Sequence, residues 1–141
     1  MQQLILTLVL VLSSVVTINV QDKVVKESTV TVTVINALSD KGTIKFALYT
    51  QENFMKTPLQ SISSTIKNGV SKAVFKNVAV GEYAIICYHD ENENNRLDFD
   101  ERGIPIESFG TSNNVMEFGP PQFESAKFEV LDKNVTLEIK F

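Results

Sequence analysis

Valines and threonines alternate through residues 29–35, with Val30, Val32 and Val34 on one side of the chain and Thr31 and Thr33 on the other. That period of two, in β-branched residues, predicts a half-buried strand. Residues 43–49 repeat the pattern with Ile44, Phe46 and Leu48 on one face. The intervening Ser39-Asp40-Lys41-Gly42 supplies a turn, so the two segments are expected to form a hairpin. A second hairpin is expected where residues 59–66 and 70–75 flank Lys67-Asn68-Gly69, because an Asn-Gly pair readily takes the positive φ values of a tight turn. Residues 82–89 are apolar on both faces (Tyr83, Ile85 and Cys87; Ala84, Ile86 and Tyr88), which predicts a central strand and the best buried one.

Periodicity stops there. Residues 90–125 gather Gly103, Pro105, Gly110, Asn113, Asn114, Gly119, Pro120 and Pro121, and so long an irregular run in a compact domain tends to be functional. Alternation returns in Ala126, Phe128 and Val130, and again in Val135, Leu137, Ile139 and Phe141. Seven short strands and no amphipathic helix predict an all-β fold, two antiparallel sheets packed as a β-sandwich with its loops at the ends. Tyr83, following Gly81 and Glu82, invites comparison with the tyrosine at the start of a late strand in immunoglobulin-like sandwiches, whose hydroxyl ties back to a neighbouring loop.

A chain of 141 residues is about one domain, and its 43% hydrophobic and 21% charged residues are the proportions of a soluble globular protein. Residues 4–16 are almost wholly apolar and no charged side chain precedes Asp22. This predicts a secretory signal peptide over residues 1–21, short for a membrane span, and a single secreted or periplasmic domain over 22–141 with no span of its own. An uncleaved N-terminal anchor is the alternative. Cys87 is the only cysteine, so no internal disulfide forms and the thiol reads as a small buried hydrophobe. The sequon Asn134-Val135-Thr136 has meaning only in a eukaryotic secretory pathway and is treated as incidental.

The acidity of the chain is one loop. Residues 90–101 hold six acids against one base, Arg96, while the whole chain carries only −4. No basic stripe with interleaved aromatics occurs, which argues against a nucleic-acid partner. Within the loop, Asp90, Asn92, Asn94, Asp98 and Glu101 stand at positions one, three, five, nine and twelve, Arg96 at seven offers its carbonyl, and Leu97 can anchor the loop. Hard oxygen donors at alternate positions are what calcium requires. Either Asp100 or Glu101 is expected to supply the last ligand. The alternative is a solvated loop whose Asp and Asn side chains cap their own turns. Packed carboxylates repel by roughly 1 kcal/mol per pair, which favours an ion. Magnesium prefers tighter octahedral sites, and zinc or copper would want more than one His and one Cys.

Cys87 and His89 are two apart and share a strand face, the one arrangement open to a Cys/His hydrolase, but that spacing holds the groups about 7 Å apart. His89 reads better as a residue that hydrogen-bonds the loop base. Phe109, Phe118 and Phe123 either pin the long loop to the domain or form an aromatic surface where sugar or peptide stacks; pinning is the usual outcome. The chain therefore reads as a non-enzymatic binding or surface-interaction module with an extracellular or periplasmic ligand. A carbohydrate- or peptide-binding module with a structural ion is the rival.

Taken in order, Ser39-Asp40-Lys41-Gly42, Phe46-Ala47-Leu48-Tyr49, Gly81-Glu82-Tyr83-Ala84, His89-Asp90-Glu91-Asn92-Glu93-Asn94, Leu97-Asp98, Gly103-Ile104-Pro105, Gly110-Thr111-Ser112-Asn113-Asn114 and Phe118-Gly119-Pro120-Pro121-Gln122-Phe123 resemble the exported bacterial family called domain of unknown function 2141. The resemblance covers about residues 29–141. It implies an immunoglobulin-like sandwich outside the cytoplasm and no known activity. The family's loop resembles Asp-Glu-Asn-Gly-Asn-Gly, so Glu93 and Asn95 stand at its two glycine positions. Asp100 matches a polar position of the family, whereas Glu101 is peculiar to this chain.

Overall fold

The first strand, β1 (Ser28–Val34), buries every second residue, so that Val30, Val32 and Val34 are fully enclosed while Thr29, Thr31 and Thr33 stay at the surface. The computed structural model describes residues 27–115 and 117–141; the signal peptide expected over 1–21 lies outside them. Seven further strands follow: β2 (Thr43–Tyr49), β3 (Gln60–Thr65), β4 (Ser71–Val78), β5 (Gly81–Asp90), β6 (Phe109–Thr111), β7 (Phe128–Val130) and β8 (Val135–Ile139). One sheet has the order β4-β1-β8. The other runs β3-β2-β5-β6, with β7 also paired to β5. The fold is all-β, in two sheets of three and five strands. No helix among the described residues is long and apolar enough to cross a membrane.

The core joins the two sheets. Val30, Val32, Val34, Ala73 and Phe75 from one meet Ile44, Phe46, Leu48, Ile85 and Cys87 from the other. This packing explains why the first expected hairpin does not form. Both β1 and β2 carry one apolar row, and placing them in opposite sheets lets those rows face each other across the core. Asn68 and Gly69 do take positive φ, 53° and 74°, and close a tight turn with a bridge between Lys67 and Val70. Yet the second hairpin is also corrected, since β3 pairs with β2 and β4 with β1. The strands part at the turn and stay tied by side chains, Ser64 Oγ donating to the Lys72 carbonyl at 2.8 Å and Gln60 Nε2 to that of Lys76 at 2.9 Å.

Strand direction also departs from the antiparallel expectation. β1 and β8 run parallel, in register from Val30 with Val135 to Val34 with Ile139, so the sheets are not wholly antiparallel. β5 is the central strand its two apolar faces predict. It pairs with β2 from Tyr49 opposite Ala84 to Thr43 opposite Asp90, and its other edge takes β7 at Gly81–Tyr83 and β6 at residues 86–88. The Tyr83 hydroxyl donates to the Ala79 carbonyl at 3.0 Å. β6 lies inside the run that showed no periodicity. Its middle residue must be small, because a Cβ on Gly110 would stand 2.7 Å from the Ile139 side chain.

Candidate cation-binding loop

The loop leaves β5 at Asp90, a residue with no solvent exposure. A buried carboxylate is costly unless its oxygens are satisfied and its charge paired. Both conditions hold here. Asp90 Oδ1 accepts the Asn94 amide N–H at 3.0 Å and Oδ2 that of Asn95 at 2.9 Å, while Lys45 Nζ stands 3.6 Å from Oδ2. Lys45 also donates to Asn95 Oδ1 at 2.7 Å and Ser63 Oγ at 3.1 Å. Closing so tight a curl puts Glu93 at φ 58° and Asn95 at φ 64°, in the left-handed region.

Successive side-chain turns carry the chain onward, Asn92 Oδ1 accepting from Asn94 N at 3.1 Å and Asn94 Oδ1 from Arg96 N at 3.0 Å. The side chains at positions three, five and nine then converge: the amides of Asn92 and Asn94 both donate to Asp98 Oδ2 at 2.7 Å, and Arg96 Nε meets Oδ1 at 3.1 Å. Asn92 above all, with Asn94 and Arg96, holds the Asp98 carboxyl below the ordinary carboxylate range.

A carboxylate from outside the twelve residues completes the picture. Glu107 accepts the Glu91 N–H at 3.2 Å and the Asp98 N–H at 3.0 Å, and Glu91, Asn92, Asp98, Glu107 and Lys41 line one open pocket. Asp100 and Glu101 are not part of it. Asp100 accepts the Ile104 N–H at 2.9 Å, the chief cause of its lowered pKa, and pairs with Arg102, while Glu101 is exposed in the adjoining turn. Among the described residues, no three His, Cys, Asp or Glu side chains are gathered tightly enough to enclose a metal ion. The acids face a shared opening, each engaged by its own donors: Asp98 by the Asn92 and Asn94 amides, Glu107 by backbone N–H groups and Glu91 by the Ser39 hydroxyl.

The base of the loop is clamped by the Ser39-Asp40-Lys41-Gly42 segment. Buried His89 donates from Nε2 to the Lys41 carbonyl at 2.7 Å, as a loop-base residue should, and Ser39 Oγ donates to Glu91 at 2.8 Å. Gly42, at φ 66°, lies so close that a Cβ there would sit 2.1 Å from the Asp90 carbonyl oxygen. Asp40 takes the amides of Asn68 and Gly69, each at 2.8 Å.

The Cys87 thiol is fully buried, contacts the Gly110 carbonyl at 3.7 Å, and has its pKa pushed far above the usual thiol range by desolvation. That is the wrong direction for a nucleophile, and the imidazole is engaged elsewhere. Of the three loop phenylalanines, Phe123 pins its segment by packing with Ala84, Ala126 and Phe54, Phe109 is half-buried in β6, and Phe118 stands fully in solvent. Glu107 escaped sequence reading because it lies sixteen residues beyond Glu91. Lys45 had a faint signal: it is the single charge in β2.

These features define a class, an all-β domain of two packed sheets carrying one acidic loop clamped at its root. The chain belongs to the family described as an uncharacterized protein conserved in bacteria (DUF2141), which matches residues 32–138 and so takes in the whole loop. No curated protein and no solved structure matches the chain.

Proposed function

We propose that the chain is an exported, non-enzymatic binding module, an immunoglobulin-like sandwich whose acidic loop takes a calcium ion and thereby orders the neighbouring long loop for contact with an extracellular or periplasmic partner. One observation carries the ion site: Asn92, Asn94 and Asp98, drawn from alternate positions, meet at a single carboxylate oxygen beside an open pocket. Calcium takes six to eight oxygens from carboxylates, side-chain amides, carbonyls and water in loose geometry. Asp98, Glu91 and Glu107, with the Asn92 and Asn94 oxygens and the Arg96 carbonyl, offer that chemistry once the ion displaces the amide donors. Asp90, with both oxygens engaged, serves as the buried root. The Tyr83 tie to Ala79 supports the immunoglobulin-like assignment.

Thermal melting of the full chain titrated with Ca²⁺ and then chelator tests the reading. An ion at 100 times its dissociation constant adds about 2.7 kcal/mol to stability, so melting should rise with millimolar Ca²⁺ and fall back with chelator. Asp98→Asn and Glu107→Gln should abolish the rise, and Asp100→Asn should leave it. A melting curve indifferent to Ca²⁺ overturns the proposal.

A further inference from the structure

β6 is the edge of its sheet, and among the described residues only one side of its backbone is used. Ser108 accepts from His89 N at 2.8 Å, Gly110 pairs with Cys87, and Ser112 Oγ takes the Ile85 N–H at 3.0 Å. In an antiparallel ladder the peptide groups of alternate residues point to opposite edges. Those of Phe109 and Thr111 therefore face away from β5. They face a groove of about 410 Å³ whose near wall is the continuous stretch 105–111 and whose far wall includes Val115, Glu117, Pro121 and Phe141.

We infer that this groove binds an extended peptide, of alternating basic and apolar residues, as an added strand on β6. Backbone pairing supplies affinity in such additions, and pockets for alternate side chains supply choice. The apolar side chains find Pro105, Ile106 and Phe141; the basic ones find Glu107 and Glu117, the only charged side chains lining the groove among the described residues. Charge thus selects a cationic strand over an acidic one. The inference shares Glu107 with the calcium reading but is tested at Glu117, outside the residues that would hold the ion, so the two readings can fail separately.

The test is amide-resolved NMR of the full chain with capped heptapeptides of alternating Lys and Leu, run beside the matching Glu and Leu peptide. The Lys peptide should shift residues 105–111 and bind at least tenfold tighter than the Glu peptide. Glu117→Lys, an exposed change that leaves the fold intact, should erase that preference. Methylating the peptide amides along one edge should abolish binding, while methylating the other edge should spare it. The inference is overturned by no binding, by shifts confined to residues 90–101, by indifference to methylation on either edge, or by self-association of the chain through the same groove.

Discussion

At the level of single residues, the loop is shaped by backbone conformations that its own sequence does not favour. Glu93 and Asn95 both occupy the left-handed region, which costs a side chain such as glutamate roughly 1–2 kcal/mol and asparagine less. The two substitutions should diverge. Glu93→Gly removes that strain and should stabilise the domain by up to about 1 kcal/mol net of the unfolded-state entropy of glycine. Asn95→Gly also deletes the acceptor of Lys45 and should be neutral or destabilising. Urea midpoints measured at constant m-value distinguish them. Asp40 contributes to acid behaviour in a similarly local way, beside Asp98 and Asp100. The Gly69 amide, then that of Asn68, lowers its folded pKa, so the unfolded state binds more protons as pH drops. The stabilisation it contributes is therefore present above the unfolded value of about 4 and is lost as pH falls through the folded one. Asp40→Asn should be less stable near neutrality and show a shallower loss between about pH 5 and 3 in unfolding followed by circular dichroism.

At the level of elements, the acidic loop depends on a turn fifty residues earlier in the chain. Gly42 allows residues 39–42 to lie against Asp90 and Glu91, and any side chain there meets both a left-handed φ and a backbone oxygen. Gly42→Ala should cost on the order of 3 kcal/mol, the sum of that conformational penalty and of overpacking, and its calcium response should weaken along with its stability. Denaturant titration with and without Ca²⁺ checks both effects. The turns themselves were legible in the sequence, including the positive φ at Asn68 and Gly69. Their pairing was not. A turn signal reports only that the chain reverses, whereas the choice between continuing a sheet and crossing to the facing one depends on which apolar rows remain uncovered. β6 was missed for a related reason: three residues are too few to show a period, and Gly110 is there because of Ile139, far away in the chain.

For the whole molecule, stability rests on one core without disulfide support. Phe75 is fully enclosed between the sheets, and Phe75→Ala should cost about 3–5 kcal/mol. Against a total of roughly 5–15 kcal/mol for a domain of this kind, that should lower the urea midpoint severely or prevent accumulation of folded protein. The sequence by itself determined the all-β class, the central position of β5, the burial of Cys87 and the location of the acidic loop, because these follow from side-chain period, local composition and turn chemistry. Tertiary structure alone decided the parallel pairing of β1 with β8, the parting of both expected hairpins, and the grouping of Asp98 with Glu107 in place of Asp100 or Glu101. Those outcomes arise from segments distant in the chain competing to cover the same apolar surface and to satisfy the same amides. No local pattern encodes the result of that competition.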